Sequence, residues 1–208
     1  MLSENVHTEY PNLLMDTYLM SVIEPYYSGI QDGVIPDIPR QPLHVVLDNI
    51  RSAFNVGAMF RTADACAVHH MHLCGMSAHP PHPKLEKTAL GAFAYVPWTY
   101  YERTSDCLRT LKEQQIPCIA IEVTENAIPH VAFDWPQPVA VVFGNEVTGV
   151  HERNMNKCDA VVKIPMMGIK NSINVATAFG VILYNILDRW KTFEALPAIG
   201  VTSETSER

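Results

Sequence analysis

Three short segments hold the residues of this chain that are equipped for chemistry. The first is Asn55-x-Gly57-x-x-x-Arg61-Thr62-Ala63. Asn55 is expected at the N-cap of a helix. Gly57 precedes Arg61 by one turn, so its missing side chain is expected to leave room beside the guanidinium. An arginine fixed in such a notch suits a phosphate or a ribose. Alone, the same residues serve equally as a cap, a packing glycine and a surface arginine. They are not a dinucleotide fingerprint, because the G-x-G-x-x-G spacing is missing. The second segment is Gly144-x-Glu146-x-x-Gly149. An apolar strand ends on glycine, which lets backbone approach a ligand at the carboxyl edge of a sheet, and Glu146 emerges there. A strand ending in a solvated turn would look the same. The third runs from Ile164 to Asn174 and is expected as a buried turn that grips a small ligand. Pro165 stops the strand, Gly168 turns the chain, and Ser172 and Asn174 bracket a helix start where free N–H groups cluster. One cap residue is enough for a helix, so a second polar group is left over.

The elements that must position these residues follow from apolar spacing. Residues 12–27 repeat at helical period, and residues 28–42, rich in glycine and proline, read as a linker. Strands are predicted at 43–48, 71–75, 116–123, 139–144 and 160–165. Helices are predicted near 55–67, at 104–115 with Thr104 as cap, near 151–157, and at 174–190 with a buried stripe from Val175 to Trp190. Between about 76 and 96 no regular element is expected, and the tail after Pro197 is polar. Alternating strands and helices, with the strands at 116–123 and 139–144 continuous in apolar residues, predict an α/β domain with a mainly parallel sheet and helices on both faces.

Bulk properties narrow the field. The chain has 208 residues, 48% apolar and 18% charged, enough for one domain with a sizeable core. No apolar run is long enough to span a membrane, and the acidic start (Glu4, Glu9) is neither a signal nor a transit peptide. Five cysteines without a CxxC pair favour reduced thiols in a cytoplasmic setting. The net charge of −7 argues against a polyanion partner at first sight. Residues 1–40, however, carry six acids against Arg40 alone, and residues 191–208 three acids against two bases, which leaves the middle nearly neutral. Any basic surface is then a local patch. His69, His70, His72, His79 and His82 are not joined by a carboxylate or thiolate at ligand spacing, so no metal is expected.

Taken together and in this order, the three segments resemble the motifs of the SpoU/TrmH class of SPOUT RNA ribose 2′-O-methyltransferases, over about residues 43–188. The patterns Asn-x-Gly-x-x-x-Arg-Thr-Ala, Gly-x-Glu-x-x-Gly and Ile-Pro-Met…Ser-x-Asn-Val are met with no insertion inside a motif, and Ile173 stands where leucine is common. The resemblance implies an alpha/beta knot fold, its C-terminal third threaded as a trefoil knot, in a domain 43–190 between an extension (1–42) and a tail (191–208). It implies S-adenosylmethionine as cofactor, held by Ile121, Glu122, Phe143, Gly144, Ile164, Met166, Ser172 and Ile173. It assigns catalysis to Arg61, with Asn55 holding it or the ribose, and with Glu146, Ser172 and Asn174 shaping the pocket. An arginine is a poor base, so orienting the hydroxyl and its phosphate is the physically safer role for Arg61. RNA contacts are expected from Arg51, Arg61, Lys84, Lys87 and Lys170, with Arg103 beside them, in a homodimer. The expected substrate is tRNA, guanosine 18 first, with ribosomal RNA or a wobble ribose after it. A non-catalytic RNA-binding or scaffolding member of the same fold is the alternative from another class.

Overall fold

A computed structural model describes residues 38–195. The helix expected over 12–27, most of the linker and the tail after Pro197 lie outside the described residues. Seven strands form one sheet in which every pairing is parallel. They are β1 (Gln41–Asp48), β2 (Val68–Cys74), β3 (Trp98–Tyr101), β4 (Cys118–Ile121), β5 (Ile128–Pro129), β6 (Val139–Gly144) and β7 (Ala160–Lys163). Their order across the sheet is β3-β2-β1-β6-β4-β7-β5. The helices are α1 (Ala53–Ala65), α2 (Pro83–Ala89), α3 (Thr104–Glu113), α4 (Glu152–Met155) and α5 (Val175–Arg189).

The continuous apolar strands divide their side chains between two cores, as a sheet covered on both faces requires. On β1, Leu43, Val45 and Leu47 join one cluster while Val46 joins the other; on β6, Val139, Val141 and Phe143 alternate with Ala140 and Val142. The first core is covered by α1 and α5, whose Phe60 and Phe179 are fully buried, and Phe143 meets Phe179 with ring centroids 5.2 Å apart. The second lies under α3, through Cys107, Leu108 and Leu111. It also gathers Cys74 and Cys118, with Cys158 packed against it. Burial pushes the Cys118 and Cys158 thiols up to about 12, so these cysteines act as small inert hydrophobes.

The expected stretch without structure fails between 76 and 96. Pro at the first helical position and Leu85 and Ala89 at helical spacing form α2, and β3 follows it. Periodicity missed α2 because it is seven residues long. Two caps also move. Ser52, not Asn55, caps α1, its Oγ accepting from the Asn55 N–H at 3.3 Å. Thr104 is the first residue of α3 and gives its hydroxyl proton to Asp48 rather than capping the helix.

Histidines form a buried group beside the second core. His44 Nδ1 and His72 Nε2 lie 3.2 Å apart, His70 Nε2 is 2.8 Å from the Thr99 hydroxyl, and His72 packs on the Tyr101 ring. Among the described residues no three His, Cys, Asp or Glu side chains converge as a metal site would need. Burial first, then repulsion from neighbouring histidines, holds His44 and His70 down to about 4 and His72 well below its ordinary value. The folded state therefore keeps these rings neutral, whereas the unfolded chain takes up protons near 6.5. Their contribution to stability is complete above about pH 6.5 and is lost as the pH falls from there toward 4. The melting temperature is expected to stay level from pH 8 to 6.5 and then fall, and His72→Phe is expected to shrink that fall. Equal melting temperatures at pH 7.5 and 5 would contradict the assignment.

Candidate active site

The carboxyl ends of β1, β6, β4 and β7 face the same edge of the parallel sheet, where such folds bind ligands. The loops leaving them carry the three chemical segments. A shallow open cleft of about 340 Å³ lies there, lined by Arg51, Ser52, Asn55 and Glu146. Glu146 stands on the turn after β6 and reaches across to the start of α1. Its Oε2 accepts from the Arg51 N–H at 2.8 Å, and its Oε1 accepts from the Ser52 N–H at 3.1 Å and the Asn55 side-chain amide at 2.8 Å. Burial alone would raise this carboxyl; the hydrogen bonds from Arg51, Asn55 and Ser52 outweigh it and hold the group below the ordinary carboxylate value. Glu146 is thus an anion seated at a helix N-terminus, where the exposed N–H groups and the helix dipole favour negative charge.

The contact runs on into the third segment. Asn174 Nδ2 donates to Asn55 Oδ1 at 3.3 Å, and Asn174 Oδ1 accepts from the Ala176 and Thr177 N–H groups as the cap of α5. Every amide in the chain Glu146–Asn55–Asn174 therefore has its orientation set by its neighbours. Two remote helix starts and one strand end meet through three side chains. Asn55 spends its side chain on Glu146 and Asn174 and makes no hydrogen bond to Arg61, contrary to one of its two expected roles.

Arg61 is exposed and has no hydrogen bond or ion pair among the described residues. The notch expected beside it is filled. Gly57 is buried against α2, and a Cβ there would overlap the Thr88 hydroxyl, so the glycine lets α2 pack on α1 and does not make room for a guanidinium. Ser172 is exposed and likewise without a partner among the described residues. The segment around it is not the buried turn the sequence implied. Met167 and Ile169 are fully exposed, and Ile173 is 41% exposed.

The expected cofactor residues divide into two groups. Phe143 is core, and Ile121 pairs with Phe143 and Val162 inside the sheet. Glu122 accepts from the Val150 N–H at 2.9 Å and Gly144 passes against Gly149 and Val150, so both shape the β6 turn. Ile164, Met166, Ser172 and Ile173 line the loop after β7. Between residues 166 and 173 no backbone N–H or C=O has a partner among the described residues. Unpaired backbone groups beside exposed apolar side chains are what an adenosine requires, so this loop fits the expected cofactor. Of the expected RNA contacts, Arg51 borders the cleft, Lys84 and Lys87 are exposed on α2 and Lys170 on the loop after β7, while Arg103 faces Asp106.

Sequence reasoning missed Ser52, Asp48 and Asn145. Ser52 carried a signal, since serine just before an apolar helix is a favoured N-cap. The other two reach across the site, Asp48 to His151 and Asn154, and Asn145 to the Asn49 carbonyl, contacts roughly a hundred residues apart that no local pattern records.

The model of the SpoU rRNA methylase family matches residues 42–184. The tRNA (guanosine(18)-2′-O)-methyltransferase of Thermus thermophilus is 34% identical over 146 residues, which cover 70% of this chain and 74% of that protein. The 23S rRNA (guanosine-2′-O-)-methyltransferase RlmB of Neisseria meningitidis is 33% identical over 153 residues, covering 73% of this chain and 60% of that one. Among solved structures, the SpoU methyltransferase AviRb of Streptomyces viridochromogenes, in complex with the cofactor AdoMet, superposes with a TM-score of 0.67 at 25% identity. That match covers 75% of this chain and 60% of AviRb.

Proposed function

Because the chain belongs to the SpoU rRNA methylase family, we propose that its own residues carry out that family's reaction, methyl transfer to a ribose 2′-hydroxyl of RNA. The observation that carries the reading is the convergence of Glu146, Asn55 and Asn174 from three separate segments on one cleft. S-adenosylmethionine, when bound, supplies a methyl group on an already activated sulfonium. The residues present have the remaining tasks. Ile164, Met166 and Ile173 offer apolar contact, and the unpaired backbone of 166–173 offers polar contact to the adenosine. Asn55 and Asn174, with their amides fixed, border the path of the acceptor ribose. Arg61 orients the 2′-hydroxyl and an adjoining phosphate through its fork of donors. The new C–O bond would form as the methyl group's C–S bond breaks, and the hydroxyl proton would pass to that phosphate or to water. Ser172, without a partner among the described residues, is assigned to the same side. Arg51, Lys84, Lys87 and Lys170 add phosphate contacts around the cleft.

The finer assignments belong to the same reading. tRNA is the preferred substrate, with guanosine 18 as its nucleotide, in line with the activity named for the Thermus relative. The ribosomal enzyme of Neisseria, almost equally similar, makes ribosomal RNA the second reading. Exposed Val181 and Tyr184 on α5, the latter stacked on Phe193, support pairing with a second copy. Knotted threading of the C-terminal third rests on the family likeness. Free thiols fit a cytoplasmic setting, and among the described residues no helix is long and apolar enough to cross a membrane.

Ribose-methylation mapping of total RNA from cells with and without the protein tests the activity, and a single 2′-O-methyl mark lost with the protein is the expected result. Calorimetry with S-adenosylmethionine tests the cofactor. Failure to bind it would leave only the non-catalytic, RNA-binding alternative.

A further inference from the structure

Asp48 ends β1, is 1% exposed and has no part in the site assigned so far. It has no cation partner among the described residues, and four donors surround it. Oδ1 accepts from Asn49 Nδ2 at 2.8 Å and from the Thr104 hydroxyl at 2.5 Å. Oδ2 accepts from the His151 N–H at 3.3 Å and from Asn154 Nδ2 at 3.1 Å. A buried carboxylate is costly unless its lone pairs are filled, and an apolar side chain of similar size would often serve stability as well. What an apolar side chain could not do is tie three segments together at one point.

The sheet order makes the tie directional. β6 lies between β1 and β4, and the turn that follows it carries Glu146. This turn is a closed unit. Asn145 and Gly149 exchange backbone hydrogen bonds, Asn145 Oδ1 accepts from the Val147 and Thr148 N–H groups, and Asn145 Nδ2 donates to the Asn49 carbonyl. At its far end two consecutive amides are taken by carboxylates from opposite flanks. Glu122, just past β4, accepts from the Val150 N–H, and Asp48, from β1, accepts from the His151 N–H. The turn is suspended between them, and Glu146 rides on it toward the Arg51 and Ser52 amides.

We propose that Asp48 is a positioning residue for the cleft, acting through the turn 145–151 to set where Glu146 meets α1. Its catalytic consequence rests on the methyl-transfer reading; the positioning does not. The two oxygens separate a functional tie from a merely structural one. Oδ2 faces the turn, whereas Oδ1 binds Thr104 and anchors α3. Asp48→Asn offers one oxygen to four donors whichever way the amide turns.

The full-length chain is compared as wild type, Asp48→Asn and Thr104→Val by backbone hydrogen exchange without ligand and by RNA methylation kinetics. In Asp48→Asn, exchange of the Val147 to His151 amides is expected to rise roughly tenfold or more while the β1 amides keep their protection. Its kcat per folded molecule is expected to fall about tenfold or more, further than KM for RNA rises, as displaced catalytic geometry would give. Thr104→Val is expected to melt at lower temperature with kcat within about twofold of wild type. Should Asp48→Asn not fold, Asn154→Ala removes one donor from Oδ2 and is read in the same way. Unchanged protection of the turn overturns the proposal, and so does a Thr104→Val loss in kcat equal to that of Asp48→Asn. A wild-type chain inactive on RNA whose turn still loosens in Asp48→Asn supports the positioning and refutes the methyl-transfer reading.

Discussion

Replacing Arg61 by alanine is expected to lower methyl transfer by roughly 10²-fold or more, as loss of the group that orients the hydroxyl and its phosphate would give. S-adenosylmethionine affinity, measured by calorimetry, should stay within about twofold, because an interaction made only on the way to the transition state leaves ground-state binding intact. The structure gives this experiment unusual clarity. Arg61 is exposed and unpaired among the described residues, so no part of the fold depends on it, and the stability change should fall within about ±0.5 kcal/mol. Arg61→Lys retains the charge and loses the planar fork, and is expected to recover only part of the rate. An Arg61→Ala chain with full activity would move the reaction to another group and leave the architecture of the cleft untouched.

Gly144→Ala should damage both stability and rate. A Cβ at this position would overlap the Val150 nitrogen and the Gly149 carbonyl, and both are backbone atoms that cannot swing aside as a flexible side chain would. The turn after β6 must move. Overpacking of this kind costs about 1–3 kcal/mol, read as a lowered melting temperature. A shift near 1 Å in the element that carries Glu146 is expected to lower methyl transfer by about 10²-fold in the molecules that do fold. Wild-type kinetics in Gly144→Ala would show that the close passage of the two backbones has no bearing on the reaction.

The sequence announced the framework more fully than the contacts. β6 is present at the predicted bounds, and the buried stripe of α5 contains Phe179, Ile182, Leu183 and Ile186 as its spacing requires. These were legible because apolar period is a local property. Asn174 and Glu146 were legible as candidates because each sits at a strand or helix boundary. Their joining through Asn55 was not, since that contact spans 91 residues on one side and 119 on the other. Gly57 was misread for the same reason: the spacing showed a missing side chain but not that α2 takes its place. The loop after β7 was expected as a buried turn, yet its Met167 and Ile169 are fully exposed. Apolar composition marks a surface that will be covered, and it cannot tell a core from a ligand or a second copy.

The central place of β1 bears on how the chain is made. Its partner β2 follows within 20 residues of its end, whereas β6, on its other edge, starts 91 residues after Asp48. At roughly 5–20 residues per second, a ribosome takes about 5–18 s to deliver that second neighbour. For that time the edge of a strand with Leu43, Val45, Val46 and Leu47 at its centre stands open to other nascent chains. Conditions that slow translation between codons 49 and 139 should therefore raise aggregation of this protein, while slowing later in the message should not.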